Sequence, residues 1–421
     1  MSKTNLIAAL DIGSGKITAI AAAYDADSNS LKVVAGKSVP CKGLKKGMVS
    51  DIREASSSIT EVIDYIEEQA GQDIGGLYIA LRGEHLETFS NHGTNNITRR
   101  KEINAEDIEQ AILNARSIPI KPDHEVISVV PQGFLIDRQS GIDNPEGMEG
   151  SLLEVNVNIT TGLTSCVNNI MKAFDKQGFR VDGKFYGLVC LADTVLSQEE
   201  KDSYCLIIDL GGETISVGIW AEGSLLFSKD FPFGCDVFTR DIVNQLHTPK
   251  ASAVKIKEKY GVAYPAYLEE ESSIEVPSMD GKHTTHVNKS FLLDIIQPRA
   301  EEFFEIIYEA IEKAGYGDYL KDGYAVLTGG GSLMPGIASQ CCQKLGLKEA
   351  RIATVQKDLV DAEDKFFEPL YSTALSLAVY ASSREMHSTE SSSDDIGSRS
   401  PILRFINGIV STIKNSGIFG G

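Results

Sequence analysis

Apolar and polar positions change period several times along the chain, and each change marks a new part. Asn5–Leu10 and Ile17–Ala23 are apolar runs on either side of a Gly turn and predict two strands, with Leu31–Ser38 a third. From Ile52 to Gln69 the apolar residues fall at 59, 62, 63 and 66, a helical period. Ile74–Leu81 reads as a short buried strand. Near Gly83 the texture turns polar. His85–Arg100 is extended, Ala105–Ser117 a short amphipathic helix, and Glu125–Ile136 and Leu152–Thr160 are strands. Residues 84–162 thus have the size of one inserted α+β subdomain. The helical period returns at Ser165–Gln177.

A second α/β unit opens with the run Cys205–Ile208. Its middle, 229–298, holds the Pro-punctuated Tyr264–Pro277 and the turn Met279–Gly281, the texture of a second insert. Ile295–Lys313 predicts a long helix, Tyr324–Thr328 a strand, and Tyr371–Ala381 a helix rich in small residues. Ser388–Ser400 is Ser-rich with Ile396 its one large apolar residue, too little to order itself, so 386–400 reads as a flexible linker.

Two segments match each other. Leu10-Asp11-Ile12-Gly13-Ser14-Gly15-Lys16-Ile17-Thr18 aligns with Ile208-Asp209-Leu210-Gly211-Gly212-Glu213-Thr214-Ile215-Ser216. Each puts an Asp at the end of an apolar strand, then a Gly-rich turn, then a second strand. Glycine lets backbone N–H groups approach an anion, and an Asp one turn away can hold Mg²⁺ through its waters. Neither is a Walker A loop, because Lys16 is followed by Ile17 and a strand rather than by a hydroxyl residue opening a helix. Two copies predict a duplicated fold that closes two phosphate loops on one nucleotide. A third cluster, Gly329-Gly330-Gly331-Ser332, follows the apolar strand and offers a side-chain-free surface for adenine or an α-phosphate.

Composition narrows the classes. Forty basic and fifty-nine acidic side chains give a net charge of −19, which disfavours a nucleic-acid partner. No run approaches the ~18 apolar residues of a membrane span, and Asp11 and Lys16 interrupt any signal peptide at the N-terminus. The seven cysteines are odd in number and scattered, without C-x-x-C or His spacing for zinc, and read as reduced thiols.

The C-terminal segment 401–421 stands apart in charge. Ser400-Pro401 is a hydroxyl cap with Pro at the first helical position. On a helical wheel Ile402, Leu403, Phe405, Ile406, Ile409, Val410 and Ile413 fall within about 160° of arc. Arg404 and Lys414 lie on the polar face, and the helix has no acidic residue. That pattern fits an in-plane membrane anchor with its cations near anionic headgroups. One such helix binds weakly, so stable attachment requires many copies together.

The order loop, inserted subdomain, second loop, second insert, adenosine-side glycines resembles the actin-like ATPase superfamily. Within it the chain resembles the FtsA family of bacterial cell-division proteins over nearly its whole length. Besides the three glycine motifs, the resemblance rests on Phe233-Gly234, Thr239-Arg240-Asp241-Ile242, Lys257 ahead of Tyr260-Gly261, Ile274-Glu275-Val276-Pro277-Ser278 and Ile296-Gln297-Pro298-Arg299. The sequence departs from the family where Ala253 and Val254 stand four and three residues before Lys257, since a Glu is usual at the second position. Gly15 also stands where a small hydroxyl residue is common.

The resemblance implies an α/β, actin-like duplicated fold. Residues 1–83, continued by 163–192 and 365–385, would form the first core, and 193–228, continued by 299–364, the second. The insert 84–162 would be the family's own α+β subdomain. The insert 229–298, with the helix from Ile295, would receive the C-terminal peptide of the tubulin-like division protein FtsZ, at Arg299 and Glu302. ATP with Mg²⁺ would bind at Gly13, Ser14, Gly15, Lys16, Gly211, Gly212, Glu213, Thr214, Gly234, Lys257 and Gly329–Ser332. Asp11 and Asp209 would organise the Mg²⁺, and Asp193 would help orient an attacking water. Relatives use ATP chiefly to set conformation, so any hydrolysis is expected to be slow. The function implied is a membrane-tethered adaptor that polymerises on the inner membrane face, captures FtsZ filaments and recruits other division proteins. A PilM-like pilus adaptor and an ATP-dependent small-molecule kinase are the alternatives.

Overall fold

The structure, a computed structural model, describes residues 6–25, 30–142, 144–221, 223–269, 272–321 and 323–389. The predicted anchor at 401–421 lies outside them.

The first half opens with β1 (Leu6–Ile12), β2 (Lys16–Asp25) and β3 (Ser30–Pro40), then a small hairpin of β4 (Leu44–Lys45) and β5 (Met48–Val49). Helix α1 (Ile52–Ala70) follows, closely as its period predicts. Asp51 caps it by accepting from the Arg53 and Glu54 amides, and Gly71 ends it in the left-handed region. Strand β6 (Gly76–Leu81) pairs parallel with β1.

The chain then leaves for an inserted subdomain of β7 (Leu86–Glu102), α2 (Ala105–Arg116), β8 (His124–Ile136), β9 (Gln139–Ile142) and β10 (Glu149–Leu163). Its sheet runs β7-β10-β8-β9. It has its own core, in which Ile108, Ile112 and Ala115 of α2 meet Leu153, Val155 and Val157 of β10. The chain returns through α3 (Thr164–Asp175), β11 (Gly183–Tyr186), α4 (Gly187–Val195) and the short α5 (Gln198–Asp202).

The second half repeats the opening with β12 (Cys205–Leu210), β13 (Ile215–Ala221) and β14 (Ser224–Phe231). Its second insert holds α6 (Asp236–Leu246), α7 (Lys250–Tyr260) and a hairpin of β15 (Ser273–Pro277) and β16 (Thr284–Asn288). Helix α8 (Lys289–Lys313) leads back to β17 (Tyr324–Thr328), α9 (Ile337–Leu345) and β18 (Glu349–Ile352). Strand β19 (Val360–Asp361) and α10 (Ser372–Thr389) complete the described chain.

The two large sheets are copies of one plan. They run β11-β6-β1-β2-β3-β19 and β14-β13-β12-β17-β18, each with an antiparallel three-strand meander beside a parallel strand. The duplication holds to the residue, since Asp11 pairs with Thr18 across the first hairpin and Asp209 with Ser216 across the second. The halves are sewn together. Strand β19 pairs with β3, α10 packs on α4 and β1, and Leu188 of α4 meets the bare Gly218 of β13. Val326, Trp220 and Leu225 of the second half therefore share a core with the first.

Three expectations change. Helix α8 starts at Lys289, six residues ahead of Ile295, and carries Pro298 within it. Helices α6 and α7 occupy a stretch where no helix was predicted. The last helix continues to Thr389, into the segment expected to be linker.

Candidate functional site: a two-loop cleft and a groove on the second insert

Both loops are shaped by glycines that cannot be replaced. A Cβ on Gly13 would lie 2.7 Å from the Lys16 carbonyl oxygen, and one on Gly211 would lie 2.6 Å from that of Thr214. The same turn is thus built twice. Gly234 buttresses the second loop, where the amides of Cys235 and Asp236 donate to the carbonyls of Gly211 and Gly212 at 2.9 and 2.8 Å. The buried Ser14 accepts from the Gly47 amide at 2.8 Å, which fastens the β4–β5 hairpin over the first loop. Glu213 accepts from the Lys46 amide at 2.9 Å, so that hairpin also touches the second loop. Lys16 is exposed, and Thr214 is buried beneath its loop.

The two loop aspartates come together across the halves, but around a side chain that sequence reasoning missed. Arg82, one residue past β6, is 7 % exposed. Its Nη2 lies 2.7 Å from Asp11 Oδ1 and its Nη1 2.9 Å from Asp209 Oδ2. The Asp11 contact is an ion pair by distance without hydrogen-bond alignment, since Oδ1 is buried and has no such partner. Nη2 also donates to Thr373 Oγ1 of α10 at 3.0 Å. A third carboxylate stands close by, because Asp230 of β14 accepts from the Gly83 amide at 2.7 Å and from the Tyr186 hydroxyl at 3.2 Å.

Electrostatics follow from this crowding. Burial raises the Asp11 carboxyl to about 6, with the Arg82 charge pulling the other way. Burial likewise raises Asp230 to about 6 against its hydrogen bonds and Arg82. Burial works against the Arg82 charge, yet Asp11, Asp209 and Asp230 together more than offset it and hold the guanidinium firmly protonated.

A Mg²⁺ ion held between Asp11 and Asp209, as the sequence led us to expect, does not fit these residues. An ion bound through water needs a hydrated shell between the carboxylates, and the Arg82 nitrogens already lie against both. Asp193 is a second correction. It sits near the end of α4 remote from the cleft, where Lys201 Nζ lies 3.4 Å from its Oδ1. The end of α4 that reaches the cleft carries Gly187, beside Thr373 and Leu81.

The glycines of the third cluster, expected on the adenosine side, divide in role. Gly329 has φ of 80°, and a Cβ there would meet Asp209 Oδ1 at 2.2 Å. A Cβ on Gly331 would meet Cys235 Sγ at 2.3 Å, whereas one on Gly330 would meet nothing within 4 Å. Gly330 is therefore the open face. Ser332 is buried and bonds back to the Gly329 carbonyl at 2.8 Å, so it holds the turn. Lys257 reaches from α7 toward the Cys235 carbonyl at 3.5 Å. Val254 is half-buried and Glu258 exposed, so no α7 carboxylate takes the place of the missing Glu.

The predicted partner face is a real depression. A groove of about 340 Å³ between α6 and α8 is lined by apolar Phe233, Val237, Phe303 and Ile306 and by polar Arg240, Asp241, Asn244, Arg299 and Glu302. Arg299 is not a free cation there. Its Nε donates to Asp241 at 2.7 Å, and Nη1 pairs with Glu302. Arg240 is the exposed positive charge at the rim, a residue quoted in the family motif but not assigned to the site.

Comparison with known proteins fits this architecture. The domain described as "SHS2 domain inserted in FTSA" matches residues 83–161, and the family "Cell division protein FtsA" matches residues 206–376. Cell division protein FtsA of Escherichia coli strain K12 is 30 % identical over 389 residues, covering 91 % of each chain. FtsA of Borreliella burgdorferi is 32 % identical, over 89 % of this chain and 91 % of its own. Among solved structures, the PilM–PilN type IV pilus biogenesis complex has a chain with TM-score 0.61 and 19 % identity, covering 89 % of this chain and 97 % of that one. MreB5 of Spiroplasma citri bound to AMPPNP has TM-score 0.53 and 12 % identity, over 92 % of this chain and 99 % of its own. Both likenesses show the actin-like fold alone.

Proposed function

The chain belongs to the FtsA family of cell-division proteins, and from that premise we propose that it is an actin-like adaptor tethering FtsZ filaments to the cytoplasmic membrane at the division site. The observation that carries this reading is the groove between α6 and α8. It joins an apolar floor to a rim where Arg240 stands exposed beside the paired Arg299, a combination suited to an acidic, partly apolar peptide tail.

Three further parts complete the proposal. A nucleotide, ATP in the first instance, sits between the halves with its phosphates at the Gly13 and Gly211 loops and its base near Gly330. Self-association into filaments multiplies the weak grip on anionic lipid of the amphipathic sequence at 401–421. The inserted subdomain contacts neighbouring copies or recruits later division proteins. Attachment is assigned to that tail because its sequence pairs an apolar face with Arg404 and Lys414 and carries no acidic residue.

Fluorescence anisotropy with a labelled FtsZ C-terminal peptide tests the groove. Arg240→Glu and Ile306→Asp change exposed side chains and are expected to weaken binding about tenfold or more, the effect of losing an interface anchor, with an unchanged melting temperature. Undiminished binding in both would place the FtsZ site elsewhere.

A further inference from the structure

We propose that Arg82 is the built-in cation of the phosphate site, standing where a divalent ion would otherwise be held, so that the cleft closes and accepts a nucleotide without metal. The inference deepens the nucleotide-binding part of the proposed function and rests on it.

Geometry carries the argument. Arg82 belongs to the first half by way of β6, and it contacts one aspartate from each half at 2.7 and 2.9 Å. A planar guanidinium with several donors can face two carboxylates at once, which a lysine ammonium does less well. Its place is fixed independently, because Thr373 Oγ1 accepts from Nη2 and the next amide, Gly83 N, donates to Asp230. A side chain so anchored cannot swing aside for an ion without leaving buried carboxylates unpaired.

Charge points the same way. Asp11, Asp209 and Asp230 bring three carboxylates to a buried site, and Arg82 is the cation among them. Its Nε–H is buried without an acceptor, an unmet donor in the cleft that a phosphate oxygen could satisfy. With both loop aspartates engaged by Arg82, neither is free to set a metal-bound water for attack. The bound nucleotide then acts as a wedge that fixes the angle between the halves, and turnover is not its role.

The experiment is thermal unfolding of the full chain with and without ATP, in EDTA and in Mg²⁺, for wild type and Arg82→Ser. The proposal expects wild type to melt at the same temperature in both buffers and to gain equally from ATP in both. R82S should melt roughly 5 °C lower in EDTA, as when one member of a buried ion pair is lost, and regain most of that in Mg²⁺. Stabilisation of wild type by ATP only when Mg²⁺ is present would overturn the proposal, as would an R82S protein as indifferent to metal as wild type. If ATP shifts neither buffer while R82S alone responds to Mg²⁺, Arg82 keeps its role and nucleotide binding leaves the proposed function. Should R82S fail to fold, Mn²⁺ paramagnetic resonance on wild type with ATP decides. Mn²⁺ behaving as with ATP alone supports the inference, and one tightly held Mn²⁺ per chain overturns it.

Discussion

Gly83 of the first half and Asp230 of the second are joined directly, the glycine amide donating to Asp230 Oδ2 at 2.7 Å. The bond lies beside the Arg82 bridge and makes closure of the halves a property of buried polar groups. A buried carboxyl of this kind ties stability to pH.

Asp230 is raised by burial to about 6, so between pH ~4 and ~6 the folded protein holds a proton that the unfolded chain has released. Stability from this group is therefore greatest at the acid end and falls as pH rises through about 6. The drop is on the order of 3 kcal/mol at most, from roughly two pKa units. Asp11 acts in the same direction. Urea midpoints from pH 4.5 to 6.5 should fall less steeply for Asp230→Asn than for wild type, and a parallel slope would contradict the assignment.

Two adjacent glycines should behave oppositely. Gly331→Ala drives a methyl group into Cys235 and Leu210 and is expected to cost about 1–3 kcal/mol in chemical denaturation. Gly330→Ala meets open space, so stability should stay within about 0.5 kcal/mol. Its effect should appear instead in weaker nucleotide binding by equilibrium dialysis.

In the inserted subdomain, Gly93 of β7 lets α2 lie close, since a Cβ there would meet the Ala111 carbonyl at 2.3 Å and Ala115 N at 2.4 Å. Gly93→Ala should loosen α2 from its sheet. Hydrogen exchange over 105–116 should quicken, while protection of β12 stays as in wild type.

The groove separates support from recognition. Phe303 is 3 % exposed and packs against Phe233 and Phe238 with ring centroids 5.1 and 5.2 Å apart. Phe303→Ala should cost roughly 3–5 kcal/mol. Ile306, one turn on, is 36 % exposed, and Ile306→Ala should spare the melting temperature while reducing affinity for the FtsZ peptide.

The sequence made the duplicated hairpins legible because each glycine turn is dictated locally, and α1 because its buried face repeats cleanly. It hid α7, where only Ala253 and Ile256 are buried among lysines, too few to print a helical period. Asp193 was placed by resemblance alone, and a matched position does not tell which end of α4 meets the cleft. Arg82 escaped for a related reason. It sits just past a strand in an unremarkable position, and its meaning comes from Asp11, Asp209 and Thr373, which the fold brings from far along the chain. At the groove, the Arg299–Glu302 spacing was readable along α8, whereas Asp241 and Arg240 arrive from α6.

The proposed link between FtsZ and a membrane can be measured directly. Liposomes containing anionic lipid should be sedimented with FtsZ and either the full chain or one ending at Ser388. FtsZ should pellet with the liposomes only when the full chain is present. FtsZ left in the supernatant while the full chain pellets, or carried down equally by the shortened chain, would contradict it.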